Sequence, residues 1–474
     1  MDKTKAKTLY RRGLRPTAAK LVAMAREILR LRKRVAKLQT LLEEAKRAAK
    51  RQAAPFSRGE PKTHPRTPGR KPGRAYGRKA HRPIPNRVDE TLDAPLPNGC
   101  PHCGGPIELC RVATQYQADL PPIRPRITRF NVQVGRCRNC RRRVQGRHPK
   151  QVSDALGAAA SHLGPNALAL AAKLNKELGL AWGKVQDIFA RPFQLPVTRG
   201  GLAQAMHRLA RKLTPTYKAM TLHVRNSPVV SADETGWRVG GLRHWLHAFA
   251  TLQVTVYIIR TGRGFPEASE VLGKGYAGVL QRDGWAPYRR FLQALHQTCL
   301  QHLDRRAREL IDAAERGQAK FPHAVLRILR AALDLRDRRD DDSISPHGLL
   351  VALGRLEVKT DRILAGRIAY EPNRVFAKHL RNEREALFTF LKVLGVEATN
   401  WMGEHAMRPA VVNRKVWGGN RTQDGARAQE VLTSFLRTCR QQQCDPCAVL
   451  RPILLSQAPL IANLRLAAGL SPPS

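Results

Sequence analysis

The stretch Ser227–Val239, SPVVSADETGWRV, places two acids, Asp233 and Glu234, at the end of an apolar run. The two segments that follow, LRHWLHAFAT and VTVYIIRTG, are rich in β-branched and aromatic residues and predict two further strands of an antiparallel meander. We therefore expect the first strand to end at Asp233. The segment GYAGVLQRDGWAPYRRFLQAL then predicts another strand that ends on a carboxylate, Asp283, directly before the small residue Gly284.

Carboxylates at the carboxyl ends of two strands in one sheet can meet over its edge. Such a pair can hold Mg²⁺ ions about 4 Å apart, which is the arrangement that two-metal phosphoryl transfer on DNA requires. A plain structural interpretation fits the spacing equally well: Asp233 would cap a turn, and Asp283-Gly284 would be the turn of an ordinary hairpin. We expect three nearby tryptophans to pack on the sheet rather than to stack on bases: Trp237, Trp245 and Trp285.

A third acid is needed to complete such a site, and the C-terminal segment supplies a candidate. Residues 303–395 have a helical pattern with charges throughout, so they predict a helical insertion between the sheet and that acid. In TNWMGEHAMRPAVVNRKVWGG, Glu404 is a lone acid in a basic stretch, as expected of a metal ligand beside DNA phosphates. The basic residues after it are candidate phosphate contacts: Arg408, Arg414 and Lys415. Glu383 and Glu385 are alternatives for the third acid, although salt links on a solvated helix explain both.

The composition predicts a polyanionic partner. Among 474 residues, lysine and arginine number 84 and aspartate and glutamate 37, which gives a formal net charge of +47 and favours nucleic acid over an anionic membrane surface. No stretch has the roughly 18 apolar residues of a membrane helix, and the first residues lack the apolar core of a secretory signal. We therefore expect a soluble, cytoplasmic protein.

Apolar residues recur at heptad spacing near the start of the chain. One position of the repeat is filled by Leu21, Ile28, Val35 and Leu42, and another by Met24, Leu31, Leu38 and Ala45. This pattern predicts a parallel two-stranded coiled coil over residues 17–51, and hence a homodimer or higher oligomer. A single amphipathic helix docked on its own chain is the alternative. Residues 52–92, rich in Pro, Gly, Arg and Lys, predict a basic linker that can also contact DNA.

Two Cys-x-x-Cys pairs predict a structural zinc site. The ligands would be four thiolates: Cys100, Cys103, Cys137 and Cys140. Two such knuckles joined by the β-rich segment RITRFNVQVGRC are typical of a zinc ribbon, here residues 93–150, and a site of four thiolates is closed to substrate. Arginines crowd the second knuckle and are candidate DNA contacts: Arg138, Arg141, Arg142 and Arg143.

Residues 151–226 predict helices separated by Gly and Pro. The segment GKVQDIFARPFQLPVTRGGLAQAMHRLARKL has the rhythm of helix, turn, helix, with Thr198 as a candidate N-cap. A helix-turn-helix that reads DNA and an ordinary helical connector both fit this pattern.

Taken motif by motif, the chain resembles the bacterial insertion-sequence transposases of the IS-sixty-six type. The resemblance rests on the heptad helix, the basic linker, the two Cys-x-x-Cys pairs, ADET, DGWAPY, CLQHLDRR and, above all, TNWMGEHAMRP followed by NRKVWGG. The chain departs from the family pattern at three positions: Trp285, Trp401 and His405. None of these departures removes a carboxylate.

The resemblance implies a ribonuclease H-like core with a metal-binding triad of Asp233, Asp283 and Glu404 and an accessory pair, Cys299 and His302. It implies an enzyme that cleaves the ends of its element and joins the 3′-hydroxyl to target DNA with two Mg²⁺ ions, for which Mn²⁺ can substitute. It also implies small companion proteins of the same element and a place on the bacterial nucleoid. A noncatalytic DNA-binding regulator with a zinc ribbon and a coiled coil, derived from a transposase, is the alternative.

The fold expected from these patterns is multidomain α+β. Its segments would be a coiled-coil helix (17–51), a basic linker (52–92), a zinc ribbon (93–150), a helical region (151–226), the first part of the ribonuclease H-like core (227–303), an all-helical insertion (304–396) and the rest of the core with a helical tail (397–474). The acids would belong to the core, and the ribbon, linker and helical region would bind DNA.

Overall fold

The structure is a computed structural model that describes residues 23–32, 34–39, 84–121, 123–156, 162–315 and 317–466. The described chain is mixed α+β, as predicted. It divides after Pro121 into two compact units, which are described separately. Within the described residues, no helix is both long and apolar enough to cross a membrane.

The N-terminal unit is helical at residues 23–32 and 34–39. Four of the apolar heptad side chains within these residues are exposed to solvent, Ile28, Leu31, Val35 and Leu38, and Met24 is half-buried. An exposed apolar stripe is what a helix that pairs with another helix presents, and the coiled coil stays a prediction. Outside the described residues lie Leu21, Leu42, Ala45 and the predicted linker up to residue 83.

The first Cys-x-x-Cys pair, in the N-terminal unit, closes a tight turn. The backbone N–H of Cys100 donates to the carbonyl of Gly105 at 2.9 Å, and the N–H of Gly104 donates to the carbonyl of Cys100 at 2.8 Å. Backbone hydrogen bonds from His102 and Cys103 lower the pKa of the Cys100 thiol. A lowered pKa favours the thiolate, which is the form that binds metal.

The second pair, in the C-terminal unit, lies in the turn of a short hairpin. Strands β1 (Val134–Arg136) and β2 (Arg143–Gln145) pair antiparallel. The N–H of Cys137 donates to the carbonyl of Arg142 at 2.9 Å, and backbone hydrogen bonding, chiefly from Cys140, lowers the pKa of the Cys137 thiol. Each knuckle therefore has the local backbone of a pair of thiolate ligands, and the zinc itself stays a prediction.

In the described part of the C-terminal unit, the helices before the main sheet are α1 (Pro165–Ala172), α2 (Trp182–Ala190), α3 (Arg199–Lys212) and α4 (Thr214–Arg225). Helix α1 continues into a π-helix, Lys173–Glu177. Thr198 caps α3, as predicted, because its hydroxyl accepts a hydrogen bond from the N–H of Gly201 at 3.0 Å. The apolar face of α3 is buried in the main core at Leu202, Ala205, Met206 and Leu209.

A five-stranded mixed sheet has the order β5-β4-β3-β6-β7. Its strands are β3 (Val229–Val239), β4 (Leu242–Ala250), β5 (Thr255–Arg260), β6 (Val279–Arg282) and β7 (Leu295–Thr298). Strands β3, β4 and β5 form the predicted antiparallel meander, whereas β3, β6 and β7 run parallel. Helix α5 (Phe265–Leu272) lies in the crossover from β5 to β6, which a parallel connection requires.

The sequence led us to expect that strand β3 ends at Asp233, but the strand continues to Val239. Its pairing with β4 persists to the turn, where Val239 faces Leu242, so the hairpin keeps the backbone extended beyond the acid. Its pairing with β6 stops at Ser231. Asp233 therefore lies inside a strand, but beyond the point where one neighbouring strand has stopped pairing.

After β7 the regular structure of the described chain is helical. The helices are α6 (Leu300–Asp312), α7 (Lys320–Asp340), α8 (Pro346–Ala365), α9 (Glu371–Asn382), α10 (Thr389–Lys392), α11 (Trp401–Trp417), α12 (Gln423–Gln441) and α13 (Pro446–Leu455). Helices α6 to α10 share an apolar cluster that includes Leu303, Leu329, Leu356 and Phe376. The helical segment between the sheet and α11 thus has a core largely its own.

Helix α12 covers the edge of the sheet at β5. Side chains of α12 accept hydrogen bonds from backbone N–H groups of β5: Ser434 from Tyr257 (2.9 Å), Glu430 from Ile259 (2.8 Å) and Thr438 from Thr255 (3.2 Å). Unpaired N–H groups on an edge strand are otherwise a template for pairing with another chain. These bonds therefore satisfy N–H groups of β5 that could otherwise pair with another strand.

Candidate active site

The predicted acids on β3 and after β6 lie at the same end of this parallel strand pair. The parallel register pairs Ser231 with Gln281, and the same register continued by two residues places Asp233 beside Asp283. Both side chains then point to the same face, because residues two apart on a strand share a face. The register of β7 against β6 places Cys299 next in the same row.

Asp233 has a strongly repulsive environment. Burial raises its pKa to about 7, and the carboxylates of Glu234, Asp283 and, to a smaller extent, Glu404 add to the rise. The N–H of Glu234, which donates to Asp233 Oδ1 at 2.8 Å, opposes it. Carboxylates that repel one another in this way form a place where a cation would be favourable.

Asp283 lies in a tight turn directly after β6. Its Oδ1 accepts a hydrogen bond from the N–H of Trp285 at 2.9 Å, and Gly284 between them has a φ of 89°. A Cβ at Gly284 would also lie 2.9 Å from Cε1 of His379, so both the backbone and the neighbouring ring require glycine. The chain then enters a 3₁₀ turn, Ala286–Arg290, and a parallel strand, so this is not a hairpin.

The start of α11 brings Glu404 to the two aspartates. The N–H of Glu404 donates to the carbonyl of Asn400 at 3.0 Å, and Asn400 Nδ2 donates to the carbonyl of Ala232, next to Asp233, at 2.8 Å. The N–H of Asn400 also donates to Cys299 Sγ at 3.2 Å. Asn400 carries no functional signal in the sequence, because an amide residue before a helix is ordinarily interpreted as a cap.

Among the described residues, one group of potential ligand atoms meets closely: those of Cys299, His302 and Glu404 all lie within 4.8 Å of one another, whereas Asp233 and Asp283 are not part of this group. His302 Nδ1 is 3.5 Å from Glu404 Oε1, and Cys299 Sγ is 4.0 Å from the same oxygen. Cys299 is buried, and burial raises the pKa of its thiol. The accessory pair therefore lies against the third acid, where it can orient that carboxylate.

Glu234, the neighbour of Asp233, has different partners. Its Oε1 accepts a hydrogen bond from Arg263 Nε at 2.7 Å, and its Oε2 accepts one from the hydroxyl of Tyr288 at 2.7 Å. Burial and the charge of Asp283 raise the pKa of Glu234, and these two partners oppose the rise. Successive side chains of a strand point to opposite faces, so the two adjacent acids serve different surroundings.

Glu383 is a buried anchor and not an acid on a solvated helix, so that part of the sequence interpretation was wrong. Arg282 Nη1 lies 2.6 Å from Glu383 Oε2, and the two side chains are 2% and 0% exposed. Arg289 Nη1 lies 3.3 Å from the other carboxylate oxygen. Arg282 comes from β6, so helix spacing could not reveal the pair. Glu385 is exposed, as expected.

The basic residues predicted to contact DNA differ in their exposure to solvent and in their contacts within the protein. Arg138, Arg141, Arg142, Arg143 and Arg408 are exposed, and Lys415 is half-buried. Arg414 is engaged within the protein, because its Nη1 donates to Thr235 Oγ1 at 3.1 Å and to the carbonyl of Gly236. Burial lowers the pKa of Arg414. Arg414 therefore links α11 to β3, which limits its reach to DNA.

The geometry defines a class of protein: a mixed α+β chain that gathers carboxylates from distant segments at one end of a parallel strand pair and carries a large excess of basic charge. This combination is typical of proteins that act on nucleic acid. A family model described as Transposase IS66 family matches residues 160–428, more than half of the chain, and this range includes Asp233, Asp283 and Glu404. The chain belongs to this transposase family, which confirms the resemblance and implies DNA binding. No curated protein matches the chain.

Proposed function

We propose that the protein is a DNA transposase that cleaves the ends of its element and joins the 3′-hydroxyl to target DNA by two-metal phosphoryl transfer. Asp233, Asp283 and Glu404 would be its catalytic carboxylates, on a sheet that we assign as a ribonuclease H-like core. The observation that carries the proposal is the bridge from Asn400 to Ala232, because it holds the start of α11 beside the row of aspartates. Membership of the transposase family supports it.

The donor set fits Mg²⁺. Carboxylates from a strand, a turn and a helix offer hard oxygen ligands, which Mg²⁺ and Mn²⁺ prefer, and their repulsion at Asp233 leaves negative charge to be neutralised. When bound, two such ions activate the attacking hydroxyl and stabilise the leaving oxygen. Asp233, Asp283 and Glu404 would hold them.

The protein's own groups would orient the reacting atoms without forming a covalent intermediate. Asp233 is fixed by strand pairing and Asp283 by its turn, so both carboxylates keep their direction while the DNA reacts. Glu404 is half-buried, and His302 and Cys299 beside it would orient its carboxylate.

DNA contacts would come from basic side chains of several segments. The proposed residues are Arg138, Arg141, Arg142, Arg143, Arg408, Arg414 and Lys415. Exposure supports the first five, because a guanidinium in solvent can reach a phosphate. Arg414 would have a lesser part, because it already donates to β3.

Three further expectations accompany the proposal. Structural Zn²⁺ stays a prediction from the cysteine spacing, and the lowered pKa of Cys100 and of Cys137, each within its own knuckle, supports it. A dimer or higher oligomer through the N-terminal helix is supported by the exposed heptad side chains. Companion proteins of the same element rest on the family resemblance.

Strand cleavage by matched variants tests the proposal. The substrate is duplex DNA with the ends of the protein's own element, in Mg²⁺ or Mn²⁺, and the product measured is a 3′-hydroxyl at those ends. We expect wild type and Glu385→Gln to cut, because Glu385 is an exposed acid outside the site. We expect Asp233→Asn, Asp283→Asn and Glu404→Gln to bind the DNA without cutting it.

Cleavage by all three site variants would refute the carboxylate site. If wild type also fails to cut, while every protein binds DNA with an affinity that falls steeply with salt, the noncatalytic regulator is the better assignment. Cutting without joining of the ends would identify a nuclease.

A further inference from the structure

Arginine and tryptophan side chains alternate in a stacked row beside Asp283. The guanidinium carbon of Arg243 lies 4.9 Å from the ring centroid of Trp245, and that of Arg263 lies 4.8 Å from the same ring. Arg263 also lies 4.0 Å from the ring centroid of Trp285. These are the distances of cation–π contacts. We call the four side chains Arg243, Trp245, Arg263 and Trp285 the arginine–tryptophan ladder.

Glu234 holds the centre of the ladder in place. Nε and Nη2 of Arg263 both contact Glu234 Oε1, at 2.7 and 2.6 Å, and Tyr288 holds the other carboxylate oxygen at 2.7 Å. The Glu234 carboxylate is buried on β3, so the guanidinium is fixed to a rigid strand. The second acid of the ADET motif thus anchors an arginine.

Trp285 is fixed and yet exposed. Its N–H donates to Asp283 Oδ1 at 2.9 Å, and its Nε1 donates to the carbonyl of Arg263 at 3.0 Å. The residue is nevertheless 38% exposed, so the expectation that it packs within the sheet was wrong. An indole held this firmly, two residues from a proposed catalytic acid, is a surface on which another aromatic ring can stack.

The hairpin end of the ladder carries uncompensated positive charge. Arg238 and Arg243 face each other across the turn of β3 and β4, and both are exposed. In the described parts of the chain, Arg238 donates to the carbonyl of Gly241 and neither arginine forms an ion pair with an acid. Like charges directly opposite each other on a sheet are unfavourable, and phosphates would relieve them. The residue opposite Trp245 is Gly236, which has no side chain to cover the ring.

We propose that the arginine–tryptophan ladder binds an unpaired nucleotide of a DNA strand, with the base stacked on Trp285 and the strand's phosphates on Arg243 and Arg238. The base must be unpaired because neighbouring bases cover its faces in a duplex, and an indole offers a face for stacking. This inference rests on the proposed function and deepens it, since it specifies that the strand beside the acids is locally single.

Affinity for a short fluorescein-labelled single strand, and for the same sequence as a duplex, tests the ladder. Both are measured by anisotropy with the full chain and without Mg²⁺. We expect Trp285→Ala to weaken single-strand binding about 5- to 150-fold, the value of one base stacked on an aromatic ring, and to leave duplex binding unchanged. Trp285→Phe should recover most of the loss. Leu292→Ala removes another exposed apolar side chain of the connection between β6 and β7 and should change neither affinity.

A second measurement locates the base. With 2-aminopurine at successive positions of the single strand, we expect quenching at one position in wild type and in Trp285→Phe, and its loss in Trp285→Ala. Equal weakening of single-strand and duplex binding by Trp285→Ala, or no weakening, overturns the ladder. The proposed function fails separately: an Asp283→Asn variant that cuts like wild type overturns the catalytic site and leaves the binding results standing, since they need no Mg²⁺.

Discussion

Removal of Glu383 should destabilise the protein strongly. Arg282 is 2% exposed, and its Nη1 lies 2.6 Å from Glu383 Oε2. Its Nε also contacts His296 Nδ1 at 3.2 Å, but a neutral imidazole cannot balance the charge. In Glu383→Leu the guanidinium of Arg282 would stay buried and lose the carboxylate that contacts it, with only the more distant charge of Asp283 in its favour. Arg289, the second partner of Glu383, is more exposed and can turn to solvent.

The size of the expected loss of stability follows from two opposing effects, the cost of burying the two charges and the attraction between them. Burial lowers the pKa of Arg282 and raises that of Glu383, and in each case the partner's charge opposes the shift without cancelling it. The pair therefore adds little stability compared with apolar side chains of the same volume. One charge left alone, in contrast, retains the full free-energy cost of its burial. Loss of one member of such a pair costs about 3–5 kcal/mol. For Arg282→Met combined with Glu383→Leu, we expect a loss below about 1 kcal/mol, or a gain.

A double-mutant cycle in urea, followed by far-UV circular dichroism, measures the free energy of unfolding of all four proteins. We expect the double variant to unfold at a urea concentration close to that of wild type, and Glu383→Leu at a much lower one. A cost below about 1 kcal/mol for Glu383→Leu would refute the reasoning, because Arg282 would then not be a buried charge. A double variant as unstable as Glu383→Leu would assign the loss to packing instead of charge.

Two further predictions concern residues outside the row of acids. Asn400→Ala removes the bond to Ala232 that aligns α11, so strand cleavage should fall about 10²-fold with DNA binding retained, and cleavage at the wild-type rate would show that α11 is aligned without this bridge. Lys176 is buried, with Nζ 5.7 and 5.5 Å from the ring centroids of Trp182 and Trp417, and burial lowers its pKa to about 7. Because the folded-state pKa lies below the unfolded value, stability should rise between about pH 7 and about pH 10, by at most about 1.4 kcal/mol per pH unit. Lys176→Met should therefore be the more stable protein at neutral pH in urea unfolding and lose that advantage at high pH, whereas identical pH profiles for the two proteins would mean that this amine stays charged in the fold.

The sequence predicts those elements of the fold whose signal is local. The meander follows from apolar alternation, and the start of α3 from the hydroxyl of Thr198, and the structure confirms both. The end of β3 could not be read in this way, because pairing with β4 decides where the strand stops, whereas the apolar run records only burial. Glu383 was missed for a related reason. Its environment depends on Arg282, which lies on a strand 101 residues earlier.

The two neighbouring acids of β3 explain why the site itself could be predicted only in part. Spacing along the chain does not distinguish Asp233 from Glu234, but strand alternation sends them to opposite faces. Asp233 then joins the row that contains Asp283, and Glu234 holds Arg263 within the arginine–tryptophan ladder. Because one rigid strand carries both side chains, a shift of β3 would move the proposed catalytic acid and the anchor of the proposed nucleotide surface together. The same dipeptide thus aligns the place where a strand would be cut with the place where its unpaired base would rest.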